Sequence, residues 1–154
     1  MNIYDKLGKE EGFYDVIYTL YLELVDHVEI SHHFIGVNII KLSQLQTEYL
    51  CKAFGSLKNY TGRDLKEVHM NLRITPFQFN IVVERLKLIL KKKGLKQSDI
   101  VTFIKVFKNQ RGKVITASQS SYDLLLIPWY KVVFQFNLII KKLFTFNKNR
   151  NYSA

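Results

Sequence analysis

One cysteine, Cys51, is all that 154 residues contain, so the chain can form no internal disulfide and no multi-cysteine metal site. An apolar leader is also missing. Asp5, Lys6, Lys9, Glu10 and Glu11 stand where a secretory signal would need a hydrophobic run. Both absences point to a reducing, cytoplasmic setting. No segment alternates convincingly enough to read as a strand, and no repeat appears. Acidic residues are few: 13 Asp and Glu face 23 Lys and Arg, for a formal charge of +10. Such an excess can draw nucleic acid or an anionic membrane. The cations are scattered, however, apart from Lys91-Lys92-Lys93, and that run falls in the last turn of a predicted helix, where positive charge suits the macrodipole. Nucleic-acid binding is therefore not expected. With 47% hydrophobic and 23% charged residues, the chain reads as a globular protein large enough to bury its own core.

What is present is helical. Phe13, Val16, Ile17, Leu20, Tyr21 and Leu24 recur at steps of three and four, giving one apolar stripe. A second stripe runs Leu42, Leu45, Gln46, Tyr49, Leu50 and Ala53, behind Asn38 as N-cap. The pattern breaks from Gly55 to Gly62, which reads as a long loop, and a short helix ending near His69 follows. Thr75-Pro76-Phe77-Gln78 opens a long helix with a capping residue, a proline at the first helical position and a glutamine that completes a capping box. Phe79, Val82, Val83, Leu86, Ile89 and Leu90 form its stripe, and Gly94 ends it. Ser98 is the expected cap of a further helix that buries Ile100, Phe103, Ile104 and Phe107. The class is all-α.

The domain so outlined spans 1–117, and residues 118–154 change character. Leu124 to Ile140 carries a single charge, Lys131, but it also holds Pro128, Gln135 and Asn137, and a membrane span wants about 20 apolar residues. From Trp129 to Leu143 the apolar side chains share one face, which predicts an amphipathic helix ahead of a frayed end. Such a helix suits docking, self-association through 124–143, or a membrane surface.

His69 gives this bundle its chemistry. A lone histidine on an apolar face is usually a satisfied core residue, but here the neighbouring stripes carry Tyr21 and Gln46, each a polar group among hydrophobes, with Phe34 between them. A haem iron needs a neutral imidazole on one side, carried by a helix that holds it rigidly. It needs apolar walls that keep water out. On the open side a bound diatomic gas draws negative charge and is held by donors, for which a phenol and an amide are suited. Buried polar groups need partners, and such a ligand supplies one. His27, His32 and His33 could supply a second iron ligand but read first as polar surface residues, and Cys51 as a small core or boundary residue.

The chain resembles the truncated haemoglobins of group I. The resemblance runs from Ile3-Tyr-Asp-Lys-Leu-Gly8-Lys-Glu-Glu-Gly12 to about Thr116. It rests on Tyr21 in Leu20-Tyr-Leu-Glu-Leu24, Phe34 in His33-Phe-Ile-Gly-Val37, Gln46 with Leu42 four residues before it, and His69 in Tyr60-Thr-Gly-Arg-Asp-Leu-Lys-Glu-Val-His69, all at the family's intervals. The resemblance implies a two-over-two helical sandwich holding haem b, with a very short first helix. It makes His69 the proximal iron ligand and Tyr21 and Gln46 the distal donors. It implies further contacts from Phe34, Leu42, Leu45, Tyr49, Leu65, Leu72, Ile74, Phe79, Val82, Val83 and Phe107. The family often pairs glycines at two places where this chain has Lys9 and Ser56 as the second residue, positions where positive φ would be strained. A basic residue that commonly stands beside the distal glutamine is Leu45 here, which leaves a haem propionate to Arg73, Lys41 or Tyr60.

The leading function is binding of oxygen, nitric oxide and carbon monoxide, with slow oxygen release. That suits dioxygenation of nitric oxide, supported by a separate electron-donating reductase, better than bulk delivery. The alternative is a haem-based sensor or interaction module that signals through the C-terminal tail.

Overall fold

The computed structural model describes residues 2–118, and among them every regular element is helical. Helix α1 (Ile3–Lys6) is a single turn, and α2 (Lys9–Val25) follows directly. A 3₁₀ turn at Ser31–Phe34 leads to α3 (Ile39–Ala53). After a long loop come the short α4 (Leu65–His69), α5 (Pro76–Lys92), α6 (Gln97–Lys108) and the one-turn α7 (Arg111–Val114). Helices α2 and α3 pack as one pair and α5 and α6 as a second, with α2 lying on α5. This is a two-over-two helical sandwich. The tail segment 124–143, expected to be amphipathic, lies outside the described residues.

The core sits where the pairs meet. Phe13, Val16 and Ile17 of α2 are sealed against Leu86, Ile89 and Leu90 of α5 and Phe103 of α6. Phe13, Phe54 and Phe103 form a ring cluster with centroid separations of 5.5, 5.6 and 4.8 Å, in the range where aromatic pairs attract beyond their area burial.

Local chemistry explains the helix ends. Asn38 Oδ1 accepts from Lys41 N at 3.0 Å and starts α3. Asp64 caps α4 by accepting from the amides of Lys66 and Glu67. At α5 both halves of the capping box form: Gln78 N donates to Thr75 Oγ1 and Thr75 N donates to Gln78 Oε1. Its far end closes with Gly94 at φ 81° and Leu95 N donating to Leu90 O, the left-handed cap that glycine allows. Lys93, just past the helix, pairs with Asp15.

Two expectations change, and the expected strain at Lys9 is found. Helix α6 starts at Gln97 with Lys96 as its cap, and Ser98 lies inside the first turn, because the Lys96 carbonyl already accepts from Asp99 N and Ile100 N. The packed face of α3 consists of Ser43, Thr47, Leu50 and Cys51, while Ala53 is exposed. Ser43 satisfies its own hydroxyl by donating to Ile39 O at 2.8 Å, so a small polar residue occupies a fully buried position. Finally, α1 runs into α2 through two consecutive residues in the left-handed region, Gly8 at φ 87° and Lys9 at φ 61°; the lysine adopts the strained conformation outright, whereas Ser56 does not.

Candidate functional site

A cavity of about 330 Å³ opens between α2, α3, α4 and α5, within the range of small-molecule sites. Tyr21 enters from α2, Leu42 and Gln46 from α3, and Leu65 and His69 from α4. Phe34 comes from the 3₁₀ turn, Leu72 and Ile74 from the connection after α4, Phe79 and Val82 from α5, and Phe107 from α6. Phe79 and Phe107 stack at 5.8 Å.

His69 is fixed by its own helix. Its Nδ1 lies 2.6 Å from Leu65 O, one turn earlier. A carbonyl only accepts, so Nδ1 carries the hydrogen, and in the neutral ring the lone pair falls on Nε2. A metal-binding imidazole needs that tautomer and that tether. The helix itself is clamped from behind: Thr116 Oγ1 donates to His69 O at 3.3 Å and accepts from Ile74 N at 3.1 Å, while Thr116 N and Ala117 N donate to Ile74 O. Between these bonds Arg73 takes a positive φ of 53°.

The Tyr21 ring meets Phe34 edge-on at 5.7 Å. Burial, reinforced by Tyr60, pushes its phenol well above the ordinary tyrosine range, so it stays a neutral donor. Deeper polar groups also reach the cavity. Gln110 is one, held by Tyr49, whose phenol donates to Gln110 Oε1 at 2.6 Å. His33 is another. Burial and the nearby His32 and His69 push its pKa down, with Gln78 pulling the other way, and its Nε2 is buried without a hydrogen-bond partner among the described residues.

Other expected residues lie off the cavity. Tyr49 acts behind it through Gln110. Val83 is part of the core at 1% exposure, and Leu45 is half-buried on α3. Arg73 and Lys41 are exposed, and Tyr60 donates to Arg63 O at 2.9 Å. The lining also includes residues that the periodic stripes did not assign to a pocket, among them Leu20, Leu24, Ile30, Val37, Val68, Gln78 and Val114. Leu20 and Leu24 share a stripe with Tyr21, a signal that was legible; Ile30, Gln78 and Val114 arrive through the tertiary fold and carry none.

Residues 2–116 match the family model described as bacterial-like globin. A group 1 truncated haemoglobin of Mycolicibacterium paratuberculosis is 32% identical over 85 residues, a match covering 55% of this chain and 62% of that protein. One from Tetrahymena pyriformis is 25% identical over 113 residues, covering 73% of this chain and 93% of the relative. The crystal structure of truncated haemoglobin from T. pyriformis in its Fe(III) form superposes with a TM-score of 0.69 at 23% identity, over 75% of this chain and 98% of the other. This chain belongs to the bacterial-like globin family, as a group I truncated haemoglobin.

Proposed function

We propose that the chain binds haem b in the cavity and takes up diatomic gases there, with His69 as the iron ligand and Tyr21 and Gln46 as the donors that hold the gas. The observation that carries this reading is His69: a tethered Nδ1 leaves Nε2 uncommitted inside an apolar cavity that also receives Tyr21 and Gln46. The donor set fits the group. Porphyrin needs hydrophobic walls, which Leu42, Leu65, Leu72, Ile74, Phe79 and Val82 offer, and the iron needs one neutral imidazole. Haem, when bound, supplies an iron centre that coordinates oxygen, nitric oxide or carbon monoxide and allows oxygen and nitric oxide to combine as nitrate at the expense of one iron electron.

The chain's own residues do the rest. Leu65 O orients His69 through Nδ1. Tyr21 stays protonated and donates toward the gas, and Gln46 supplies an amide donor from the next helix. Phe34 shields Tyr21 from water on one side. Nitrate formation turns over only if an external reductase returns the electron, so an electron-donating partner belongs to the same reading.

The test is reconstitution of the full chain with haemin beside His69→Gly. The wild type should develop a Soret band and bind carbon monoxide when reduced. The variant should lose the protein nitrogen from iron and regain a coordinated spectrum when free imidazole is added. A wild-type preparation that stays colourless would end the proposal.

A further inference from the structure

On the side of α4 the cavity wall is one layer of side chains deep. Val68 and Leu72 line the cavity, yet each is also 37% exposed, and Met70 between them is 59% exposed. Large apolar side chains grouped on a surface mark interaction sites. Around these three the charge is of one sign. Lys66 and Arg73 flank the stretch, and α7, which packs on α4, adds Arg111 and Lys113. All four are exposed, and none forms an ion pair among the described residues. The acidic residues nearby are already engaged: Glu67 pairs with Arg63 at 2.6 Å, and Asp64 Oδ1 accepts from Lys66 N and Glu67 N. Lysines elsewhere differ, since Lys6 pairs with Asp99 and Lys93 with Asp15. An apolar centre inside a polar rim is the anatomy of a protein interface, and this rim is cationic.

We propose that the α4–α7 face docks the electron donor, a reduced iron–sulfur or flavin protein whose own docking face is rich in carboxylates. One electron leaves the donor, which is oxidised by that electron, and ferric iron in the cavity becomes ferrous; no bond forms or breaks in this chain. Lys66, Arg111 and Lys113 steer the acidic partner, and Val68, Met70 and Leu72 seat it against the cavity wall. A second copy of this chain fits the face poorly, because at a formal charge of +10 it would set cation against cation. A nucleic acid or an anionic bilayer would also meet the cations, but neither supplies an electron to the cavity behind them.

The inference rests on the haem reading above, and the experiment separates the two. Full-length wild type, Lys66→Glu/Lys113→Glu and the control Lys91→Glu/Lys96→Glu are loaded with haemin. The control makes the same charge change at the far end of α5, roughly 25 Å along that helix. Each ferric protein is mixed under carbon monoxide with a reduced, acidic [2Fe–2S] ferredoxin as the probe donor, over a range of salt concentrations. The oxidised ferredoxin is separately joined to each protein with a carbodiimide, which links lysines to carboxylates in contact. Wild-type reduction should slow steeply as salt rises, and its cross-links should map to Lys66 and Lys113. Lys66→Glu/Lys113→Glu should be reduced about tenfold more slowly or worse at low salt, while the control stays within about twofold of wild type. Dithionite, which needs no docking face, should reduce all three alike. Equal slowing of both variants, or cross-links that avoid Lys66 and Lys113, would overturn the face while dithionite reduction and carbon monoxide binding leave the haem reading standing. So would binding of phosphatidylserine vesicles or duplex DNA that Lys66→Glu/Lys113→Glu abolishes without slowing the ferredoxin. Failure of the wild type to take up haemin would overturn both. If Lys66→Glu/Lys113→Glu does not fold, the wild-type cross-link map decides alone.

Discussion

Tyr21 shows how one hydroxyl can be judged apart from the ring that carries it. The ring has its own role, packing edge-on against Phe34, and that contact survives replacement by phenylalanine. Tyr21 lines the cavity, and burial keeps its hydroxyl protonated. Tyr21→Phe is therefore expected to fold as the wild type does and to lose one donor to the bound gas. A hydrogen bond contributes about 0.5–1.5 kcal/mol, and about 1.5–3 when its partner carries charge. Oxygen should leave about 10- to 100-fold faster, since each 1.36 kcal/mol is a tenfold change in rate. Stopped-flow displacement of oxygen by carbon monoxide reads this directly, and an unchanged release rate would remove Tyr21 from the site.

Among the elements, α2 depends on a glycine that no stripe would mark. A Cβ at Gly12 would fall 1.5 Å from the Leu7 carbonyl oxygen, where the chain turns out of α1. Gly12→Ala must push that turn aside, and overpacking of this kind costs about 1–3 kcal/mol. Gly112→Ala in α7 meets nothing within 4 Å and should be neutral or stabilising by about 0.4–1 kcal/mol. The denaturant midpoint should fall for Gly12→Ala and stay level or rise for Gly112→Ala; equal shifts would show that the contact at Leu7 does not matter. The same elements show what a sequence reveals and what it hides. Helix α5 was legible end to end because Thr75, Pro76, Gln78 and Gly94 act within a few residues of themselves. Helix α3 was legible as a helix, yet its packed face was not, since it serves α2 on one side and the cavity on the other, and Ser43 and Thr47 are buried by being small. Ser98 misled because the cap of α6 lies two residues earlier, at Lys96, whose side chain makes no capping hydrogen bond. At the cavity, Leu65, Leu72 and Ile74 follow from closeness to His69 along the chain. Gln110, Val114, Ile30 and His33 come from elsewhere, and only the way the two helical pairs close brings them in.

For the molecule as a whole, the cavity links stability to ligand. The cavity of about 330 Å³ is partly open and lined mainly by apolar side chains, so without a ligand it leaves apolar surface in contact with water that haem would cover. The structure around it is ill-suited to bear that exposure alone. Helix α4 has five residues, and the segment from Phe54 to Asp64 that precedes it holds no regular structure. Local ties do anchor it, since Thr61 N and Oγ1 both donate to Glu48 and Thr116 holds the far side, but these bonds are exposed. Protein stripped of haem should therefore lose order first in α4 and the preceding loop, ahead of the Phe13–Phe54–Phe103 cluster. A ligand that binds only the folded state adds about 4 kcal/mol at a thousandfold excess over Kd. For a chain of this size that is a Tm increase on the order of 15 °C. Thermal unfolding of stripped and haemin-loaded protein measures the shift, and hydrogen exchange locates it. Equal melting temperatures would mean that the cavity closes without haem at no cost, and that the coupling between fold and ligand argued from its apolar lining is absent.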